Sequence, residues 1–209
     1  MKIEIYSDVV CPWCYLGQAR FRQAVEEFPG EVEIVWRPFQ LDPSSPAEPE
    51  AGLASTVLAE KFGGADKVHA AHQRLRALTE DAGLPFEPEL ARQINSLQAH
   101  RVIWLAGEEG VQDAVVARFF RAHHAEGRDL NAPETLVELA AEAGLPADRV
   151  RALLASAEGA PEVAAQIDEA RRLGISGVPF FLFEGKWAVS GGQPTEVFAE
   201  ALREVASKL

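Results

Sequence analysis

The sequence predicts an α/β fold in which one α/β domain is split by an all-helical insertion. Two observations lead to this prediction. Strand patterns occur only near the two ends of the chain, and Gly- and Pro-punctuated helical patterns fill the middle. We place the first part of the α/β domain at residues 1–45, the inserted helical domain at 46–159 and the second part of the α/β domain at 160–209.

The opening unit reads as β-α-β. Ile3 and Ile5 alternate with polar residues, as in a strand. From Cys11 onward the period changes to three and four, which indicates an amphipathic helix ended by Pro29 and Gly30. "EVEIVWRPF" alternates again and predicts a second strand, stopped by Pro38, that should run parallel to the first. The buried stripe of the helix is expected to hold Cys14, Gln18, Phe21, Val25 and Phe28.

The middle of the chain begins with a predicted linker, "QLDPSSPAEPEAG", which is dense in proline and serine. Helical segments follow, separated by stop signals such as "AGLP" and "GEEG". We predict helices over residues 53–62, 66–82, 89–106, 111–126, 133–143 and 147–157.

The end of the chain predicts α-β-β-α. A helix over residues 161–173 is closed by Gly174, and two short strands at 180–183 and 187–189 flank a Glu-Gly-Lys turn, as in an antiparallel hairpin. Pro194 suits the first turn of a last helix. Its apolar stripe is predicted to be Val197, Ala201, Leu202 and Val205.

Composition narrows the functional classes. Asp and Glu outnumber Lys and Arg by 32 to 20, for a net charge of −12, so a phosphate backbone would be repelled and nucleic acid is not expected as a partner. No apolar run is long enough to cross a bilayer, so no membrane partner is expected. "MKIEIYSDVV" has no secretory pattern, and we expect a cytoplasmic protein.

The two cysteines lie at the start of the first helix, in "YSDVVCPWCYL". Cys14 falls on the buried stripe, whereas Cys11 is expected to be exposed at the helix end, where free N–H groups and the helix dipole favour a thiolate. Pro12 fits the first turn because it has no helical hydrogen bond to lose. Thiol–disulfide exchange needs such an exposed nucleophile and a shielded second thiol.

Two other interpretations of the pair stay open. A zinc site would need two further ligands, and the histidines, all in the predicted insertion, are the candidates: His69, His72, His100, His123 and His124. A structural disulfide would close a two-residue loop and would therefore remove little chain entropy. Redox catalysis explains the spacing better than either, and no metal is expected.

The motif "CPWC" after the first strand, with "SGVP" ahead of a hairpin, resembles the thioredoxin fold of the DsbA family. Within that family the chain is most similar to the cytoplasmic FrnE-like branch. The matching stretches are "SDVVCPWCYLG", "RPFQLDP", "NSLQAHRVIWLA", "GISGVPFFLF" and "VSGGQP", which together span nearly the whole chain. The resemblance implies a DsbA-like thioredoxin fold and a protein disulfide oxidoreductase that acts on cysteine-containing proteins or small thiols.

The resemblance also implies roles for individual residues. Cys11 would be the nucleophile and Cys14 the resolving cysteine. Pro12 and Trp13 would tune the redox potential and contact the substrate. Pro179 would be a cis-proline facing the pair, and Val178 would offer its backbone to an extended substrate. Some FrnE-like proteins have a second cysteine pair that this chain lacks, so an external thiol or disulfide would recycle the site. Glutathione is a candidate for the recycling thiol, and no bound cofactor is expected.

The resemblance also implies an alternative function, that of a glutathione-dependent isomerase or transferase. The 2-hydroxychromene-2-carboxylate isomerases and the kappa-class glutathione transferases share the split architecture and bind glutathione near the helix start. They commonly have serine at the first cysteine position, and the second cysteine is usually missing. A weaker site candidate is Asp8, which would accept a proton or shape the helix start, or else be a solvated loop carboxylate. We interpret His100 as a structural helical residue, with a place in the pocket as the alternative. We interpret Trp36 and Phe39 as packing residues and Asn95 as a helix cap.

Overall fold

The computed structural model describes residues 1–46 and 52–209; residues 47–51, within the predicted linker, lie outside the described part. The sheet contains β1 (Lys2–Ser7), β2 (Glu33–Pro38), β3 (Phe180–Phe183) and β4 (Trp187–Ser190), in the order β2-β1-β3-β4. β1 is parallel to β2 and antiparallel to β3, which pairs with β4 as a hairpin. The predicted β-α-β start and the predicted hairpin are both confirmed.

The helices follow the predicted order. The first helix, α1, spans Pro12–Glu26, and the last two, α8 and α9, span Ala160–Arg172 and Thr195–Ala206. Between β2 and α8 lie α2 (Ala54–Phe62), α3 (Ala65–Asp81), α4 (Leu97–Glu108), α5 (Gln112–His124), α6 (Pro133–Glu142) and α7 (Ala147–Leu154). Among the described residues, no helix has the length and apolarity needed to cross a membrane.

Helices cover both faces of the sheet. On one face, α1 and α9 bring Phe21 and Phe198 against Phe181 of β3, with ring centroids 4.6–5.5 Å apart. On the other face, Tyr6 of β1 clusters with Ala170 of α8. The alternation of side chains along β1 explains this arrangement, because successive residues of a strand point to opposite faces. Helices α4 and α5 also contact β2, so the helical insertion packs directly on the sheet edge.

Two predictions about helices are wrong. The helix predicted from residue 89 begins only at Leu97, because the preceding segment pairs with other backbone: Leu53 and Arg92 form an antiparallel bridge, and Ala91 accepts a hydrogen bond from Ala54. Asn95 lies just before the helix start and accepts the Leu97 N–H at 3.0 Å, which agrees with its predicted capping role.

In α9 the first position of the predicted buried stripe is wrong. Val197 was placed on this stripe, yet it is 38% exposed, while its neighbour Phe198 is fully buried against the ring of Phe181. The larger aromatic side chain covers more apolar surface, so the helix orients Phe198 inward. Leu202 and Val205 are buried as predicted.

Candidate active site

The first turn of α1 positions the two cysteines. Cys11 is the residue before the helix, and Pro12 occupies its first position, where the missing N–H costs no hydrogen bond. The carbonyl of Cys11 accepts N–H groups from Cys14 at 3.0 Å and from Tyr15 at 3.2 Å. The N–H of Cys11 donates to the Asp8 carbonyl at 3.0 Å, which closes a turn between β1 and the helix.

The expectation of an exposed Cys11 is wrong, because its side chain is only 4% exposed. The loop that contains Val178, far away in the sequence, covers the Cys11 side chain. The Sγ atom of Cys11 lies 3.6 Å from the carbonyl oxygen of Val178, within reach of a weak thiol hydrogen bond. A helix N-terminus alone would be open to water, but the loop before β3 packs over this one.

Cys14 is buried, as its place on the helix stripe predicts, with 1% of its surface exposed. Burial raises the pKa of the Cys14 thiol well above its usual range, and the hydrogen bond with the neighbouring Cys11 raises it further. The backbone N–H of Asp8 and the side chain of Ser7 also contact this thiol and act in the opposite direction. Cys14 is therefore held as a protonated thiol next to Cys11; both cysteines are free thiols in this structure.

The loop facing the cysteines contains Val178 and Pro179. The peptide bond between them is cis, in agreement with the expectation drawn from the family resemblance. The Pro179 carbonyl accepts the Gly191 N–H at 2.8 Å, so the loop is tied to the end of β4. Within the described residues, the N–H groups of residues 176–178 have no hydrogen-bond acceptor, and Ser176 and Gly177 are exposed. This short backbone segment is therefore free to pair with an extended ligand.

The two residues between the cysteines lie at the surface. Trp13 is 38% exposed and Pro12 is partly exposed. The structure thus brings Cys11, Pro12, Trp13 and the Val178–Pro179 loop together, as expected of a single site. The roles assigned to these residues stay predictions.

A buried polar cluster lies behind the cysteines, around Asp8, which is 1% exposed. Its Oδ2 accepts the Leu41 N–H at 2.8 Å, and its Oδ1 lies 3.5 Å from the Val10 nitrogen. Nε2 of His100 lies 3.4 Å from the same Oδ1 and 3.0 Å from the carbonyl oxygen of Phe39. Both weaker candidates of the sequence analysis, Asp8 and His100, therefore meet beneath the site.

The sequence analysis considered the two histidines at the end of α5 only as candidate zinc ligands and did not predict their burial. His123 and His124 are 2% and 3% exposed, and the ring of His124 stacks on Tyr15 at 5.3 Å. Burial lowers the pKa of His123 to about 4, partly opposed by Asp8, and it lowers the pKa of His124 well below its usual range, as the neighbouring His123 does to a smaller extent. The sequence does contain a pattern that indicates this burial. His123 follows Phe119 by four residues and so continues the apolar stripe of α5.

The other candidates lie outside the site. Trp36 is buried and donates its indole N–H to Asp113 at 2.9 Å, in keeping with a packing role. Asn95 donates its amide to the carbonyls of Ser45 and Pro46 at 2.9 and 3.1 Å. Over residues 1–46 and 52–209, no cluster of three or more His, Cys, Asp or Glu side chains is arranged to hold a metal ion.

Comparisons with known proteins agree with this geometry. Residues 2–203 match the family model described as a DSBA-like thioredoxin domain. The fold is similar to that of a probable DsbA oxidoreductase, SCO1869 from Streptomyces coelicolor, with 39% identity and a TM-score of 0.94; all of this chain and 91% of that chain are covered.

Two more distant structures share the fold. One is a 2-hydroxychromene-2-carboxylate isomerase, at 20% identity and a TM-score of 0.77, with 100% of this chain and 97% of that chain covered. The other is the cytosolic disulfide reductase DsbM from Pseudomonas aeruginosa with GSH, at 22% identity and a TM-score of 0.69, with both chains fully covered. The family match spans nearly the whole chain and includes both cysteines and the loop that faces them. This protein belongs to the DSBA-like thioredoxin domain family.

Proposed function

We propose that this protein is a thiol–disulfide oxidoreductase in which Cys11 is the nucleophile and Cys14 resolves the mixed disulfide. One observation carries the proposal: two free thiols lie side by side at the start of α1. Cys11 faces the loop that contains Val178 and Pro179, and Cys14 is buried behind Cys11. A metal site or a packing role would not need this difference between the two thiols.

The exchange proceeds in two steps. The Cys11 thiolate attacks a substrate disulfide R–S–S–R′, forms the Cys11–S–S–R bond and releases R′–S⁻. Cys14 then loses its proton, attacks the Cys11 sulfur and releases R–S⁻, which leaves a Cys11–Cys14 disulfide. The substrate gains two electrons and the cysteine pair loses two. The same steps in reverse oxidise a substrate dithiol.

The substrate is a disulfide or thiol in a protein or a small molecule. The exposed backbone of residues 176–178 suits an extended peptide, since its free N–H groups can pair with peptide carbonyls irrespective of sequence. The exposed ring of Trp13 and the partly exposed Pro12 offer an apolar surface beside Cys11. Because Cys11 is covered, binding must shift the Val178 loop enough for the substrate sulfur to reach Sγ.

An external thiol or disulfide recycles the pair, a thiol after the pair has reduced a substrate and a disulfide after it has oxidised one, because the chain has two cysteines in all and both belong to the site. Glutathione is a suitable small thiol for this step, and no bound cofactor is required. DsbM, which shares the fold, is a disulfide reductase described with GSH.

The test is to trap the mixed disulfide. Reduced Cys14→Ser protein treated with oxidised glutathione should accumulate one glutathionyl group on Cys11, as detected by intact mass and peptide mapping. The wild type should pass to the internal disulfide, and Cys11→Ser should accumulate far less adduct. If Cys14→Ser and Cys11→Ser are modified equally slowly, the proposal fails.

The competing function is a glutathione-dependent isomerase or transferase. The fold shared with 2-hydroxychromene-2-carboxylate isomerase supports this competing function, whereas the two intact cysteines favour disulfide exchange. Such an enzyme would keep glutathione-conjugating or isomerising activity in Cys14→Ser, and the oxidoreductase would lose its turnover.

The direction of electron flow follows from the reduction potential of the pair. Related C-x-x-C proteins extend from about −270 mV, typical of reductants, to about −120 mV, typical of oxidants. Equilibrating the protein in glutathione buffers and measuring the fraction oxidised would assign it to one end of this range.

A further inference from the structure

Resolution of the mixed disulfide requires the Cys14 proton to leave a buried site. Cys14 is 1% exposed, so its thiol has no direct contact with bulk water. Two hydrogen-bonding groups besides Cys11 lie next to this thiol: the backbone N–H of Asp8 and the side chain of Ser7. A backbone N–H donates and cannot accept a proton, whereas a hydroxyl can accept one while passing on its own.

Ser7 connects this thiol to a small internal cavity. The cavity has a volume of about 10 Å³, close to the smallest that holds one water molecule, and its polar lining comes from Ser7, Arg37 and His100. Apolar side chains, among them Val9 and Phe120, form the rest of the wall. Ser7 and His100 therefore face the same water-sized space.

The hydrogen bonds of His100 fix which ring nitrogen can accept a proton. Nε2 lies 3.0 Å from the carbonyl oxygen of Phe39 and 3.4 Å from Oδ1 of Asp8. A carbonyl oxygen accepts only, so Nε2 carries the hydrogen in the neutral ring and Nδ1 has a free lone pair. The Asp8 carboxylate lies beside Nε2 and orients the ring, as the carboxylate does in a Ser-His-Asp triad.

We propose that Ser7, a water molecule in this cavity and His100 form a proton relay for Cys14, with Asp8 as the group that orients His100. The inference rests on the proposed function. In the resolving step the Cys14 sulfur bonds to the Cys11 sulfur and the Cys11–S–R bond breaks, which releases R–S⁻. The thiol proton moves to the Ser7 oxygen, the Ser7 proton to the water, and a water proton to Nδ1 of His100.

Asp8 itself is not the direct acceptor. Its carboxylate is occupied by the Leu41 N–H at 2.8 Å and lies next to His100, and it presents its backbone N–H rather than its carboxylate to Cys14. Besides His100, the charged group that lines the cavity is Arg37, which pairs with Glu4. His123 lies near Asp8, and Asp113 accepts the indole N–H of the lining residue Trp36. Arg101, next to His100 in α4, is directed instead at the carbonyls of Leu153, in the last turn of α7, and of Ser156 just beyond it.

The test uses 5,5′-dithiobis(2-nitrobenzoate), which releases one coloured thiolate when Cys11 attacks and a second when Cys14 resolves the adduct. The two releases are followed by stopped-flow absorbance on the reduced full-length chain. His100→Gln and Ser7→Ala should each slow the second release at neutral pH by at least about tenfold and leave the first unchanged. The matched control His72→Gln, on α3, should change neither release.

The pH profile separates a relay from a structural effect. In the wild type the second release should level off near neutral pH, because an internal base takes the proton. In His100→Gln it should rise by about tenfold per pH unit toward alkaline pH, since hydroxide must then remove the thiol proton. Equal second-release rates in the wild type and Ser7→Ala, or parallel pH profiles in the wild type and His100→Gln, would overturn the relay. Absence of two releases in the wild type would instead contradict the proposed function.

Discussion

The Sγ atom of Cys11 lies 3.6 Å from the carbonyl oxygen of Val178, although 167 positions separate the two residues in the sequence. Cys11 belongs to the first part of the sheet domain and Val178 to the second, and the helical insertion lies between them in sequence. Strand β1 makes this contact possible, because it pairs with β2 on one side and with β3 on the other. The site is therefore complete only when both parts of the split domain have folded together.

The first prediction concerns Gly192, which packs against the redox motif. A Cβ atom at Gly192 would lie 2.9 Å from the carbonyl oxygen of Trp13, closer than real Cβ contacts allow, and this neighbour is backbone. Gly192→Ala should therefore displace the first turn of α1 and lower the free energy of unfolding by about 1–3 kcal/mol. Urea denaturation followed by circular dichroism measures the loss.

The matched control for Gly192→Ala is Gly177→Ala, at a glycine of the neighbouring loop. A Cβ atom there would have no atom within 4 Å, so the stability should change little. Equal losses in the two variants would mean that the contact with Trp13 is not what requires glycine at position 192.

Much of this site could be predicted from local sequence patterns. The change of period at Cys11 located the start of α1 to within one residue, and the three-residue spacing placed Cys14 on the buried side of that helix. These features depend on residues close together in the chain, where helical geometry fixes which side chains share a face.

Contacts between distant segments could not be predicted in this way. The cover over Cys11 comes from Val178, and the partner of Asp8 comes from His100 in α4; neither pairing leaves a periodic signal. The N-terminal end of α4 was misplaced for the same reason, because Leu53 pairs with Arg92 and keeps that segment out of the helix. The chain's own propensity there is helical, and the tertiary contact overrides it.

The second prediction concerns Asp8, whose buried carboxylate holds the segment after β2. Asp8→Ala leaves the Leu41 N–H without its acceptor and removes the charge beside His100. We expect a loss of about 2 kcal/mol in the free energy of unfolding, the usual cost of an unsatisfied buried group. The control Asp42→Ala removes a surface pair with Lys61 and should cost no more than about 1 kcal/mol. Similar losses for both variants would contradict a special role for the buried carboxylate.

The third prediction concerns Arg101, which ties α4 to the end of α7. Its side chain is 6% exposed, and its Nη2 donates at 2.7 Å to the carbonyls of Leu153, Ser156 and Glu158. Arg101→Lys keeps the charge but loses the planar fork, so several carbonyls lose their donor. Thermal and urea unfolding should show a loss of about 2–3 kcal/mol. Arg171→Lys, in an exposed pair with Asp168, should leave stability unchanged.

The fourth prediction concerns the buried histidine His123 and the pH dependence of stability. Burial lowers its pKa from 6.5 to about 4 in the folded protein, whereas the unfolded chain keeps the ordinary value. Between these two pH values the unfolded state binds more protons than the folded state, so stability falls as the pH is lowered. From neutral pH to pH 5, His123 alone should account for a loss of about 2 kcal/mol.

Urea denaturation of the wild type and of His123→Gln at neutral pH and at pH 5 measures this contribution. Glutamine cannot take up the proton. The free energy of unfolding of the variant should therefore fall by about 2 kcal/mol less than that of the wild type between neutral pH and pH 5, whatever the stability of the variant at neutral pH. His69→Gln, on the exposed side of α3, serves as the control and should follow the wild-type pH dependence. The comparison uses the change in the free energy of unfolding between the two pH values for each protein. A destabilisation of the core by the substitution that is the same at both pH values therefore cancels. Parallel pH profiles for His123→Gln and the wild type would show that His123 takes up a proton as readily in the folded protein as in the unfolded chain, against the burial seen at the end of α5.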